Sequence, residues 1–213
     1  MEQKYLPQLT VLYLSYLNIK PLIAEIEVRY EKFPTPILNE IRAFNDHIAR
    51  CYREGTDNET IESNLRKAEG HIERIALDSY KFLNVKLHKK VIRRFDRRTK
   101  GINLHAISNG DFFTSYCESK MFIETNLKKA KLLETQNKEQ SLKLFELVHN
   151  KYSDVEQLII DNEKNICWAR ARFYGNKILK FVAWLIAAII SGFISSSIIP
   201  WDIIGRNILS WFN

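Results

Sequence analysis

FVAWLIAAIISGFISSSIIPW, residues Phe181–Trp201, is a run of 21 residues without a charge. A bilayer core takes about 20 residues of helix, so this run predicts a transmembrane helix over 178–201. A buried helix of a water-soluble domain of this length would carry a polar stripe. The flanks fit a span: Trp168, Phe173 and Tyr174 precede it and Trp201 follows, as an aromatic belt would. Arg170, Arg172, Lys177 and Lys180 lie before it with no acid among them, whereas the tail beyond holds only Asp202 and Arg206. The positive-inside rule then places the N-terminal part in the cytoplasm of a single-pass inner-membrane protein. The N-terminus does not read as a signal peptide: Glu2 offsets Lys4, Pro7 interrupts, and no small-residue cleavage site follows Ile19.

Within the span, Ala187, Ser191 and Ser195 recur four apart, as do Ala188, Gly192 and Ser196. At about 100° per residue these six fill one half of the helix. Ile186, Ile189, Ile190, Phe193 and Ile194 fill the other. Small residues four apart let helix backbones approach closely in lipid, so this face predicts association of spans into a homo-oligomer. Residues 202–213 form a short amphipathic tail, too short to recross the bilayer, that is expected to lie in the interface, with Pro200 at the corner.

The remainder, 1–177, reads as helical. The chain has 213 residues, of which only 12 are Gly or Pro, too few for the turns of an all-β sandwich. Its 46% hydrophobic content excludes a disordered chain. Helical spacing predicts one helix over 8–32 interrupted at Pro21, a break at Phe33–Pro36, and a second helix from Ile37 to Arg53. A turn-rich loop at 54–58 follows. A third helix is expected from Asn58 to about Arg98, carrying Gly70 inside. Asp111 opens a further helical stretch, Glu134–Lys138 is a turn or a solvated face, and 141–180 run almost unbroken toward the membrane. The fold class is therefore all-α: an antiparallel helical bundle with one C-terminal transmembrane helix. Cys51, Cys117 and Cys167 are far apart, which predicts neither a zinc site nor a disulfide framework.

Two short segments share the pattern His-Ile-x-Arg: His47 to Arg50, preceded by Asp46, and His71 to Arg74, followed by Asp78. Each His and Arg are three apart and share a helix face. Asp46, His47, Arg50, His71, Arg74 and Asp78 are thus candidates for a polar network or for a pocket that takes an anionic ligand. Arg42 and His47 also fit the spacing R-x-x-x-x-H. Asn39–Arg50 together with Lys67–Lys81 resembles bacterial HEPN-like helical proteins of phage-defence loci. Some of those are membrane-anchored effectors encoded beside retron reverse transcriptases. The resemblance covers about 45 residues, under a quarter of the chain, and it implies a HEPN-like scaffold over about 37–100. In nuclease members the R-x-x-x-x-H pair is catalytic, so the same resemblance implies Arg42 as phosphate stabiliser and His47 as acid or base. Those members carry a polar residue directly after the arginine; here it is Ala43, which favours the scaffold over the enzyme.

Residues 86–100, KLHKKVIRRFDRRTK, hold eight positive charges and one acid, within a net charge of +7. Lys86, Lys89, Lys90, Arg93, Arg94 and Arg97 recur at helical spacing as one continuous stripe that suits an anionic partner. That partner is RNA, an RNA–DNA hybrid, acidic lipid or an acidic protein surface. No phosphate-binding glycine loop, nucleophile elbow or paired histidine motif occurs, so no cofactor and no metal are expected. Together these features predict a membrane-anchored effector of an anti-phage defence or toxin system. Its spans would associate and disrupt the inner membrane under control of the cytoplasmic helices and an inhibitory partner. The alternatives are a membrane-tethered HEPN ribonuclease and a non-enzymatic membrane scaffold or receptor.

Overall fold

The computed structural model describes residues 3–30 and 33–198; the tail 202–213, with Pro200 and Trp201, lies outside the described residues. The fold is all-α, and the described residues contain no strand. A 3-10 turn at Gln3–Tyr5 leads into α1 (Leu6–Arg29). Then come α2 (Thr35–Cys51), α3 (Asn58–Leu87), a π-helical segment (His88–Arg93) and α4 (Arg94–Arg98). Two 3-10 turns follow, and then α5 (Asp111–Leu133), α6 (Lys138–Asp161) and α7 (Glu163–Ile198).

α1 is not interrupted at Pro21; the helix runs straight through it. Proline removes its own N–H and frees the carbonyl four residues earlier. Here Leu17 and Pro21 both lie on the exposed side, where water can satisfy that carbonyl. The FPTP segment does end the helix, and Pro36 sits in the first turn of α2, where its missing donor costs nothing. Asp57 caps α3 by accepting from the Thr60 backbone N–H at 2.7 Å.

α2 runs antiparallel to α3. Cys51 lies beside the Ile61 carbonyl at one end, and Glu40 meets His71 at the other. α5 and α6 form a second antiparallel pair, in which Ser141 Oγ donates to the Ala130 carbonyl at 2.8 Å. α1 and α3 run in the same direction: the Tyr5 hydroxyl reaches the Asn58 carbonyl, and the Tyr30 ring meets Phe82 about 36 Å further along, at about 1.5 Å of rise per residue. α6 joins them in parallel, with Asn84 Nδ2 donating to the Phe145 carbonyl and His88 Nδ1 facing the Tyr152 hydroxyl. The core between these helices holds Ile26, Phe44, Leu65, Ile75, Leu83, Phe145 and Tyr152, all essentially inaccessible to water.

The expected third helix is continuous to Arg98 as a path, but its winding changes at His88. Within this wider turn Val91 and Ile92 are buried side by side, followed by Phe95. Glu134–Asn137 is a turn, and the stretch 141–180 is broken at Asn162, where α6 ends and α7 begins.

Candidate functional site

His47 and His71 come together between α2 and α3, their rings stacked with centroids 5.2 Å apart and planes at 21°. His47 Nδ1 lies 2.8 Å from Asn64 Oδ1, so the ring nitrogen donates to the amide oxygen. His71 Nδ1 lies 2.6 Å from Glu40 Oε2, and Arg74 Nε donates to the same oxygen at 2.8 Å. Arg74 also places a terminal nitrogen 2.8 Å from His71 Nδ1. His71 Nδ1 cannot donate to Glu40 and accept from Arg74 at once, so the carboxylate is the shared acceptor of the two N–H donors. Partial burial pushes the Glu40 carboxyl up. The hydrogen bonds from His71 and Arg74, and the charge of Arg74, outweigh it and hold the carboxyl below its ordinary value.

The network is smaller than the sequence pattern and differently composed. It takes in His47, His71 and Arg74. Asp46 and Arg50 are exposed and make no side-chain hydrogen bond or ion pair with a described residue. Asp78 turns to Lys81 at 3.9 Å. Arg42 is exposed and unbonded among the described residues, so no direct bond links it to His47. Glu40 and Asn64 complete the network without having been singled out. Glu40 lies two helical turns before His47, and that spacing was the available signal.

The basic segment does not form one continuous stripe. The π turn sends its charges to different neighbours. Lys86 stands over the rings of Tyr30 and Phe82, at 5.5 and 5.2 Å. Lys90 pairs with Glu156 at 3.5 Å and shares it with Arg29 at 3.0 Å. Arg94 lies beside Lys90 on the α6 side, and Arg97 Nε bonds back to the Arg93 carbonyl. Lys89 and Arg93 face the other way, into a cleft of about 670 Å³ shared with Lys128 and Lys131 of α5. The α5 lysines carry no motif of their own beyond an i, i+3 spacing, and they were missed.

A second buried polar cluster joins α1 to α6. His149 Nε2 donates to Glu25 at 3.0 Å, and Arg29 Nε binds the same carboxylate at 2.8 Å. The ring packs edge-on against Tyr80, whose hydroxyl burial and Glu146 push up to about 12. Burial lowers the His149 pKa below its ordinary value despite Glu25. Its Nδ1 is buried without a hydrogen-bond partner, so a proton added there would find no acceptor.

Two helices are long and apolar enough to cross a membrane: Gln3–Arg29 and Glu163–Ser195. They differ in what covers them. In α1 a third of the most apolar window is buried, including Leu9, Leu12, Ile23 and Ile26. In α7 none of it is. Ile166 and Ala169 still reach the core, Phe173 rests on Gly101, and from Lys177 to Ser195 every residue is exposed. Ala187, Ala188, Ser191, Gly192 and Ser195 lie on this exposed stretch, and a Cβ at Gly192 would meet nothing within 4 Å. The side chain of Ser196 lies outside what the structure describes. Among the described residues no group of three or more His, Cys, Asp or Glu is placed to hold a metal ion. No family model, no curated protein and no solved structure matches this chain.

Proposed function

We propose that the chain is a membrane-anchored effector of a bacterial defence or toxin system. In this reading a cytoplasmic antiparallel helical bundle is carried on a single C-terminal transmembrane helix in the inner membrane. The observation that carries it is the complete exposure of α7's apolar stretch. Water is a poor solvent for a helix that is apolar all round, so lipid or other copies must cover it. The same test passes α1, but α1 already buries a face against α3 and α6 and fixes Glu25 and Arg29 there. The small-residue face of α7 supports close association of spans, and their aggregation would disturb the bilayer. The assignment to defence rests on the resemblance carried by Asn39–Arg50 and Lys67–Lys81.

Entry of a membrane-impermeant dye into bacteria after induction tests this reading. The full chain is expected to admit dye, and Gly192→Ile, expressed at the same level in the membrane fraction, is expected to admit far less. Recovery of the full chain in the soluble fraction, or equal dye entry with Gly192→Ile, would overturn it.

A further inference from the structure

The cleft between the π segment and α5 brings four cations together from two elements: Lys89 and Arg93 on one wall, Lys128 and Lys131 on the other. All four are exposed, and none forms an ion pair with a described residue. Lys81, deeper in the cleft, is already neutralised by Glu134 and Asp78. No acid lines the cleft. Its apolar lining is the exposed Val85 and the half-buried Leu127, with Phe145 buried beneath them. Asn84 braces that lining through its bond to the Phe145 carbonyl, while its own Oδ1 is screened from water and unpartnered. At about 670 Å³ the cleft falls within the range of small-molecule sites.

Four unpaired cations in one concavity repel one another, and a multiply charged anion relieves that repulsion. Lysine and arginine together suit a phosphoryl group, arginine by its fork and lysine as a point charge. The apolar lining adds a second requirement. A bare anion would leave it wet, whereas a body attached to the phosphate would cover it. We propose that this cleft binds a phosphomonoester carried on an apolar body, with the phosphate between Lys89, Arg93, Lys128 and Lys131 and the body over Val85 and Leu127. The chemistry is shared by a nucleoside monophosphate and a short lipid phosphate. The inference stands apart from the membrane reading, because no residue of α7 lines the cleft.

Calorimetric titration of the full chain in detergent micelles with AMP, hexyl phosphate and inorganic phosphate tests it. At least one ester is expected to bind about tenfold more tightly than inorganic phosphate, since only an ester covers the apolar lining. Preference for AMP identifies a nucleotide site, and preference for hexyl phosphate a lipid-phosphate site. The double variant Lys128→Glu with Lys131→Glu is expected to weaken that ester about tenfold or more, because it replaces two attractions by repulsions. Arg66→Glu with Lys67→Glu, exposed on α3 away from the cleft, makes the same change in net charge and should leave binding unaltered. Should the α5 variant unfold, Arg93→Gln on the opposite wall tests the same cluster. Inorganic phosphate binding as tightly as both esters, absence of binding by either ester, or equal weakening by the two double variants would overturn the proposal.

Discussion

His47 of α2 and His71 of α3, 24 positions apart in the chain, lie face to face with ring centroids 5.2 Å apart. The antiparallel hairpin makes this pair, and each ring is then fixed by a different partner, Asn64 for His47 and Glu40 for His71. Glu40 is the member on which the rest depends, because it accepts from both His71 and Arg74.

Replacing that acceptor should therefore cost more than removing either donor. Glu40→Gln is expected to lower stability by about 1 kcal/mol, discounted for the half-exposed Arg74, as read by thermal unfolding of the full chain in detergent. The pH dependence has a definite sign. The folded Glu40 carboxyl sits below its ordinary 4.5, so its contribution is present above that value and disappears as pH falls through the lower folded pKa. The Glu40→Gln chain should lack that part of the acid sensitivity. Matching unfolding curves for the two proteins across this acid range would contradict the network.

His149 has a dependence of the same sign in a higher pH window. Its folded pKa is lowered by burial, so the unfolded chain takes up the proton first as pH falls. Stability should decline from the ordinary value of 6.5 downward and level off below the folded pKa. His149→Gln can still donate to Glu25 but does not titrate in this range. It is expected to flatten the decline that begins near the ordinary histidine value of 6.5. An unchanged slope would mean that another group carries it.

Helix existence was legible in the sequence, and helix partnership was not. The breaks at FPTP, at Gly55–Asn58 and at Asn109–Gly110 announced themselves through proline, glycine and asparagine. Pro21 misled because its effect depends on which way it faces, and only the packed helix puts Leu17 and Pro21 outward. The π turn had no signal in the sequence, since adjacent apolar pairs such as Val91 and Ile92 are buried in the regular helices as well. Once the turn is present, the basic residues spaced as one stripe divide between Glu156 on one side and Lys128 and Lys131 on the other. The histidine pair was legible as two similar segments, but Glu40 and Asn64 required the register of the hairpin.

Asp57 is a simpler case, since its role is local. It accepts from the Thr60 N–H at 2.7 Å and from the Thr60 hydroxyl at 3.0 Å. Asp57→Ala is expected to lower the melting temperature, and Asp57→Ser or Asp57→Asn to lower it much less, because each restores a capping oxygen. Equal melting temperatures for Asp57→Ala and Asp57→Asn would count against the cap.

Gly101 controls how α7 leaves the packed helices. Its φ of +81° is one that glycine adopts freely, and a Cβ there would stand 3.1 Å from Cζ of Phe173. Two separable penalties follow. Gly101→Asn tolerates the backbone but keeps the clash, whereas Gly101→Ala incurs both, for a loss of about 1–2 kcal/mol. Phe173→Leu removes the ring that the new Cβ would meet. In the double variant Gly101→Ala with Phe173→Leu, the steric part should vanish and the backbone part remain, so the two losses should fall short of additive. Thermal unfolding and proteolysis near Lys100 read the two effects together. Strict additivity would mean that Phe173 does not rest on Gly101.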